Sequence, residues 1–293
     1  MAEITASKVK ELRDRTGAGM MDCKEALQAS EGDLDEAIVF LRKKMGNKLE
    51  RREGRSAAEG VIATYIAGNV VAIVELNSET DFVARNDDFK ALARELAQQV
   101  VVNGGDSTEA ILAQDSLNAP GTTVQARLQD VFTKLRENIV FKRFERVDAG
   151  ENGAVSAYVH VPANDKIGVV VELGDVTDAT AAQALGKELA MHIAAASPRY
   201  LSRADVPAEV VAQESDIAAT QAKNDERPEA AIPKIIEGRV KKFYEETVLL
   251  EQASVRDPKK SVSQVVKETA PGVTVRRFTR YTVGEGAKPA SEE

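Results

Sequence analysis

Apolar positions in this chain recur with two different periods, and the change from one to the other marks out its elements. Near the start the spacing is helical. Val9 and Leu12, then Met20, Cys23, Ala26 and Leu27, then Leu34, Ala37, Ile38 and Leu41 each gather on one face of a short helix. Thr16-Gly17-Ala18-Gly19 stops the first helix, and Asp33 followed by Glu36 opens the third in the manner of a capping box. Residues 1–45 therefore read as a three-helix mini-domain.

Strand patterns follow, and they come twice. Tyr65-Ile66 and Val70-Val71-Ala72-Ile73-Val74-Glu75-Leu76 return as Tyr158-Val159 and Ile167-Gly168-Val169-Val170-Val171-Glu172-Leu173, and Glu95-Leu96-Ala97 returns as Glu188-Leu189-Ala190. The first copy predicts strands over 61–66 and 70–76 about the turn Ala67-Gly68-Asn69, then a helix from Asp88 to Val101. The second copy spans Val155 to Ser197, with a longer hairpin and a shorter strand-to-helix connection. It lacks a counterpart of the segment from Thr80 to Phe89. Duplicated packing accounts for the strands but leaves this one elaborated loop without a structural reason.

Gly104-Gly105-Asp106 breaks the pattern; a short helix over Ser107–Gln114 and a stronger one through Val124, Leu128, Val131, Phe132 and Leu135 come next. Alternation from Ile139 to Val147 predicts an edge strand completing the first sheet. Ser202 to Val248 reads as a long αα-hairpin with its tip at Asn224-Asp225-Glu226-Arg227-Pro228, able to cover its own domain or to dimerise. A helix over Val262–Glu268, a strand through Val273, Val275, Phe278, Tyr281 and Val283, and a polar tail from Gly284 close the chain. The expected class is α+β. Its units are a three-helix domain with a basic linker (1–55), a first core subdomain (56–148), a second (149–201 and 245–275), the helical hairpin (202–244), and a C-terminal module with its tail (276–293).

Composition narrows the function. At 293 residues and 43% hydrophobic the chain has enough apolar material for ordinary cores. A net charge of −8 argues against a phosphate-tracking surface, and 4% aromatics without tryptophan leave few stacking platforms, so direct nucleic-acid binding is not expected. Neither the start, Met1-Ala2-Glu3-Ile4-Thr5, nor a later segment has a signal peptide's apolar stretch or the roughly 20 apolar residues that span a bilayer. A cytoplasmic protein without membrane contact is expected, and the single cysteine, Cys23, suits a reducing compartment as a small core hydrophobe or a link to another molecule. One stretch runs against the net charge: Arg42, Lys43, Lys44, Lys48, Arg51, Arg52 and Arg55, interrupted by Glu50 and Glu53. It reads as a solvated linker or as a contact for an acidic partner.

An enzyme reading would start from Asp81, Asp87 and Asp88, which could bind a divalent ion or serve as acid and base, but that reading lacks partner residues. The two histidines, His160 and His192, lie far along the chain, and the sequence contains no HExxH, GxSxG, cysteine pair or GxxxxGK[ST]. No catalytic residue, metal or cofactor is expected. His192 falls among apolar helix positions as a structural histidine, and His160, opening the longer hairpin turn, is placed for contact. Phe82 has two readings, a plug in the joint between strand and helix or an exposed wedge for a partner's pocket. Met21 lies about 100° around the helix from Met20 and cannot share its buried stripe fully.

Thr16-Gly17-Ala18-Gly19-Met20-Met21-Asp22-Cys23-Lys24-Glu25-Ala26-Leu27 closely resembles the N-terminal signature of the bacterial elongation factor Ts family, and Thr80-Asp81-Phe82-Val83-Ala84-Arg85 resembles its second signature. The likeness continues through Met191-His192, Ser202 to Val211, Glu237-Gly238-Arg239, Lys242-Phe243 and Val283-Gly284-Glu285-Gly286. It implies a three-helix module similar to a ubiquitin-associated domain, ahead of duplicated cores. It also implies a guanine-nucleotide exchange factor that binds elongation factor Tu, in its GDP form and nucleotide-free, and speeds GDP release. By this resemblance Thr80, Asp81, Phe82 and Val83 dislodge the partner's magnesium, and Met20, Met21 and His160 touch the partner. Leu135-Arg136 stands where the family can have a contacting isoleucine-glycine pair, a departure that puts that contact in doubt. A different class, a binding adaptor using the three-helix module alone, would leave nucleotide exchange unchanged.

Overall fold

The amphipathic segments at the start form α1 (Ala6–Thr16), α2 (Met20–Ala29) and α3 (Leu34–Glu50). Val9, Leu12, Cys23, Ala26, Leu27, Ala37 and Leu41 close a small core among them. The computed structural model describes residues 4–16, 18–50 and 57–285, with residues 42 and 45–50 described by their backbone alone. Asp33 caps α3 by accepting from the amides of Asp35 and Glu36 at 2.9 and 2.8 Å, while its own amide donates to Ser30 O rather than to Glu36. The basic run does not begin a linker at Arg42, because α3 continues through Glu50; Arg51, Arg52, Glu53 and Arg55 lie outside the described residues. Cys23 is fully buried, and burial pushes its thiol up, which favours the core reading over an intermolecular link.

The first repeat comprises β1 (Glu59–Ala67), β2 (Val70–Ser78), α4 (Asp81–Ala84), α5 (Asp87–Asn103), α6 (Thr108–Leu112), α7 (Val124–Leu135) and β3 (Val140–Asp148). The second comprises β4 (Ala154–Val159), β5 (Ile167–Gly174) and α8 (Ala179–Ala196). Then come the hairpin helices α9 (Ala208–Asn224) and α10 (Ile232–Thr247), α11 (Val262–Thr269) and β6 (Thr274–Thr282). Each repeat builds an antiparallel sheet of three strands, in the orders β1-β2-β3 and β4-β5-β6. So β6 belongs to the second sheet, and the expected division at 275/276 falls inside an unbroken strand. Nor does a loose tail start at Gly284, whose amide donates to Glu75 Oε1 at 3.0 Å; residues 286–293 lie outside the described part.

The apolar runs of β2 and β5 lack clean alternation because both faces are covered. On the outer side, Val61, Ala72 and Val74 pack under Phe89, Leu92 and Leu96 of α5, and Val169, Val171 and Leu173 pack under Leu185, Leu189 and Ile193 of α8. On the inner side, Ile62, Val71 and Ile73 meet Val170 and Tyr281, so the sheets stack with the helices outermost. The approach is close at Gly168, where an added Cβ would collide with Ile62.

The copy extends to the third strand. Arg143 pairs with Glu75, and Arg277 with Glu172, at the same irregularity of register in each sheet. The base of the long hairpin is closed by a bridge between Tyr200 and Val248, with Leu249 N donating to Tyr200 O at 2.8 Å. Among the described residues no helix is long and apolar enough to cross a membrane.

Candidate functional site

The elaborated loop contains one turn of helix, α4, rather than irregular chain. Successive residues of a helix turn by about 100°, so four of them sample every direction. Val83 and Ala84 face inward to the core of the first repeat, and Asp81 and Phe82 face out. Phe82 is 82% exposed, whereas Phe89, at the start of α5, is completely buried. The plug reading of Phe82 is therefore excluded for the free chain. Asn86 caps α5 by accepting from Asp88 N at 2.9 Å, which turns the chain sharply between the two phenylalanines. Asp81 pairs with Arg85 at 2.8 Å and Asp88 with Lys134 at 3.6 Å. Among the described residues no group of His, Cys, Asp and Glu could hold a metal ion.

The turn is held from outside. Glu137, between α7 and β3, accepts from Thr80 N at 2.9 Å and from Thr80 Oγ1 at 2.6 Å, and Asn138 N donates in return to Glu79 Oε1 at 2.8 Å. The residue before this clasp, Arg136, adopts the left-handed conformation at φ 60°, a backbone state that favours glycine. Its guanidinium reaches the N-terminal module: an added Cβ on Gly19 would collide with it. Leu135 is half-buried against the first core. Met20 and Met21 are 59% and 75% exposed, so neither fills the module's core. α1 and α3 rest against α7, Arg136 lies against Gly19 at the start of the helix that carries the methionines, and Glu137 holds Thr80 at the start of the Phe82 turn.

His160 stands at the head of a 3₁₀ turn within the β4–β5 hairpin, and its Nδ1 is 2.9 Å from Tyr158 Oη. The adjacent Val161 is exposed, and Asp165 on the same hairpin pairs with Lys90 of α5 at 2.7 Å. His192 is buried. Its Nδ1 accepts from Val255 N at 3.2 Å and its Nε2 donates to Gln252 Oε1 at 2.9 Å, which makes it a structural residue. The sequence reading missed Glu137. Nothing local marks it, since it acts on a residue far from it along the chain.

Comparison with known proteins follows the same outline. A family model described as "Elongation factor TS" matches residues 79–285, a span that begins at Glu79 of the clasp and includes α4, the 135–138 turn, His160 and the C-terminal strand. "Elongation factor Ts" of Salinispora tropica is 46% identical over 288 residues, covering 97% of this chain and 100% of that protein. The proteins of the same name from Brucella ovis and Brucella canis are each 43% identical over 290 residues, covering 97% of this chain and 93% of theirs. Similarity at this level over nearly the whole length establishes that the chain belongs to the elongation factor Ts family.

Proposed function

We propose that this protein is a guanine-nucleotide exchange factor of translation elongation, acting in the cytoplasm on elongation factor Tu. The observation that carries this reading is Phe82, an aromatic ring four-fifths exposed on a turn whose next two side chains are buried. Burying a phenylalanine in a partner's pocket contributes about 1.5–3 kcal/mol. That is too little alone, since a 10⁴-fold acceleration of nucleotide release corresponds to about 5.5 kcal/mol. The remainder comes from anchors: Met20 and Met21 on the N-terminal module, Leu135 and Arg136 beside the clasp, and His160 on the second repeat. These contacts favour the partner's open form over its GDP form, because equal affinity for both would shift nothing.

Within the wedge, Thr80 and Val83 seat the turn. Phe82 enters beside the partner's phosphate and magnesium site, and the Asp81 carboxylate competes for the ligands around the cation. Linkage then requires GDP and magnesium to weaken this protein's hold on its partner by the same factor.

Stopped-flow release of labelled GDP from elongation factor Tu tests the reading. Phe82→Ala should slow stimulated release at least tenfold, and Asp81→Ala should matter most at high magnesium. Wild-type rates for Phe82→Ala would refute the wedge, and a wild-type chain that leaves GDP release unaltered would favour an adaptor role for the three-helix module.

A further inference from the structure

A single helical turn does not hold itself, because nucleation costs more than its one or two hydrogen bonds return. Something must fix the direction in which α4 points Phe82. Its cap, Thr80, is weakly placed by itself, with Oγ1 3.5 Å from Val83 N. Glu137 supplies the missing restraint. One carboxylate oxygen takes the Thr80 amide proton and the other takes the Thr80 hydroxyl proton. With its proton committed to Glu137, Oγ1 turns its lone pairs toward Val83 N, and Ser78 Oγ holds Thr80 O from the other side at 2.9 Å.

The second repeat has no turn like α4. Its helix α8 is capped by its own neighbour, Asp178, which accepts from Thr180 N and Ala181 N at 2.9 and 3.1 Å, as α5 is capped locally by Asn86. For α4 the cap's geometry is set by a residue from another part of the chain. That part also carries Arg136 against Gly19 of the N-terminal module.

We propose that Glu137 is a positioning residue for nucleotide exchange: its bidentate grip on Thr80 aims Phe82, and it does so without touching the partner. This rests on the reading of Phe82 as the wedge. The full-length chain is assayed on GDP-loaded elongation factor Tu across a concentration series. Glu137→Ala should lower the maximal release rate about tenfold, with the half-saturating concentration within about twofold of wild type. Glu137→Gln, which keeps one acceptor oxygen, should fall between the two, and Thr80→Val should resemble it. In a Phe82→Ala background, Glu137→Ala should cost nothing more, because the residue it aims is gone.

A wild-type maximal rate for Glu137→Ala alongside a slow Phe82→Ala would overturn the positioning role and leave the wedge standing. Equal losses in both backgrounds, or a raised half-saturating concentration at an unchanged maximal rate, would overturn it as well. A wild-type rate for Phe82→Ala alone would remove the wedge and this proposal together. If Glu137→Ala lowers the melting temperature so far that the assay fails, Glu137→Gln and Thr80→Val decide on the same readings.

Discussion

Arg143 Nε donates to Glu75 Oε2 at 2.7 Å, setting a guanidinium against a carboxylate that is 1% exposed. Asn77 Nδ2 and Gly284 N donate to the other oxygen, and the guanidinium also lies 4.0 Å from the centre of the Tyr281 ring. Removing the arginine strands a buried negative charge between the sheets. Arg143→Ala should destabilise by about 2–3 kcal/mol, below the range for fully buried pairs because Arg143 is partly exposed. Arg277→Ala should cost less, since Glu172 retains Arg276 and Arg277 is the more exposed of the two arginines. Urea unfolding of both variants checks the order, and a larger loss at Arg277 would contradict it.

The two phenylalanines of the elaborated segment should separate folding from exchange. Phe82→Ala removes a ring that the free chain leaves in water and should change stability by no more than about 0.5 kcal/mol. Phe89→Ala opens a void under α5 and should cost about 3–5 kcal/mol. Thermal melts of the two variants, run beside GDP-release traces, decide this; a Phe82 variant that melts several degrees early would contradict the exposed-ring geometry.

Gly168 sits where the sheets come closest. A methyl group there meets Ile62 and the end of Ile73, both of them buried. Gly168→Ala should destabilise by about 1–3 kcal/mol, and Ile62→Ala, which removes the colliding Cγ2, should cost less in the Gly168→Ala background than it does alone. Strict additivity of the two changes would show that the clash is relieved elsewhere.

Acid should weaken the second repeat through His192. Burial holds this imidazole below its ordinary value of 6.5, with the Gln252 bond opposing the shift. The folded state therefore resists a proton that the unfolded chain accepts. The stabilisation is complete above about pH 6.5 and is lost as pH falls from there through the folded value. His192→Gln should flatten the decline in urea midpoint between pH 8 and pH 5, and an unchanged slope would assign the effect to other groups.

Much of this molecule was legible in the sequence where structure depends on neighbours along the chain. Helical and strand periods located the three-helix module, both hairpins and α5 and α8, and the absence of a second copy singled out Thr80 to Phe89. What escaped depends on distant partners. The Arg143 and Arg277 pair was hidden because inserts of different length separate the third strand from the rest of each repeat. Glu137 was hidden for the same reason, and α4 because one turn is too short to show a period. The helical continuation of α3 was missed because charged residues read equally well as exposed helix or as linker.

The bridge between Tyr200 and Val248 carries a consequence for modularity. Everything from Pro207 to Glu246 leaves and returns through one doorway, so the polypeptide on either side is already joined as if the insertion were a tight bend. Since closing a connection costs only slowly more as it lengthens, this arm behaves as a detachable handle. An engineer could exchange it for a short turn while the stacked sheets and the Phe82 turn keep their own contacts.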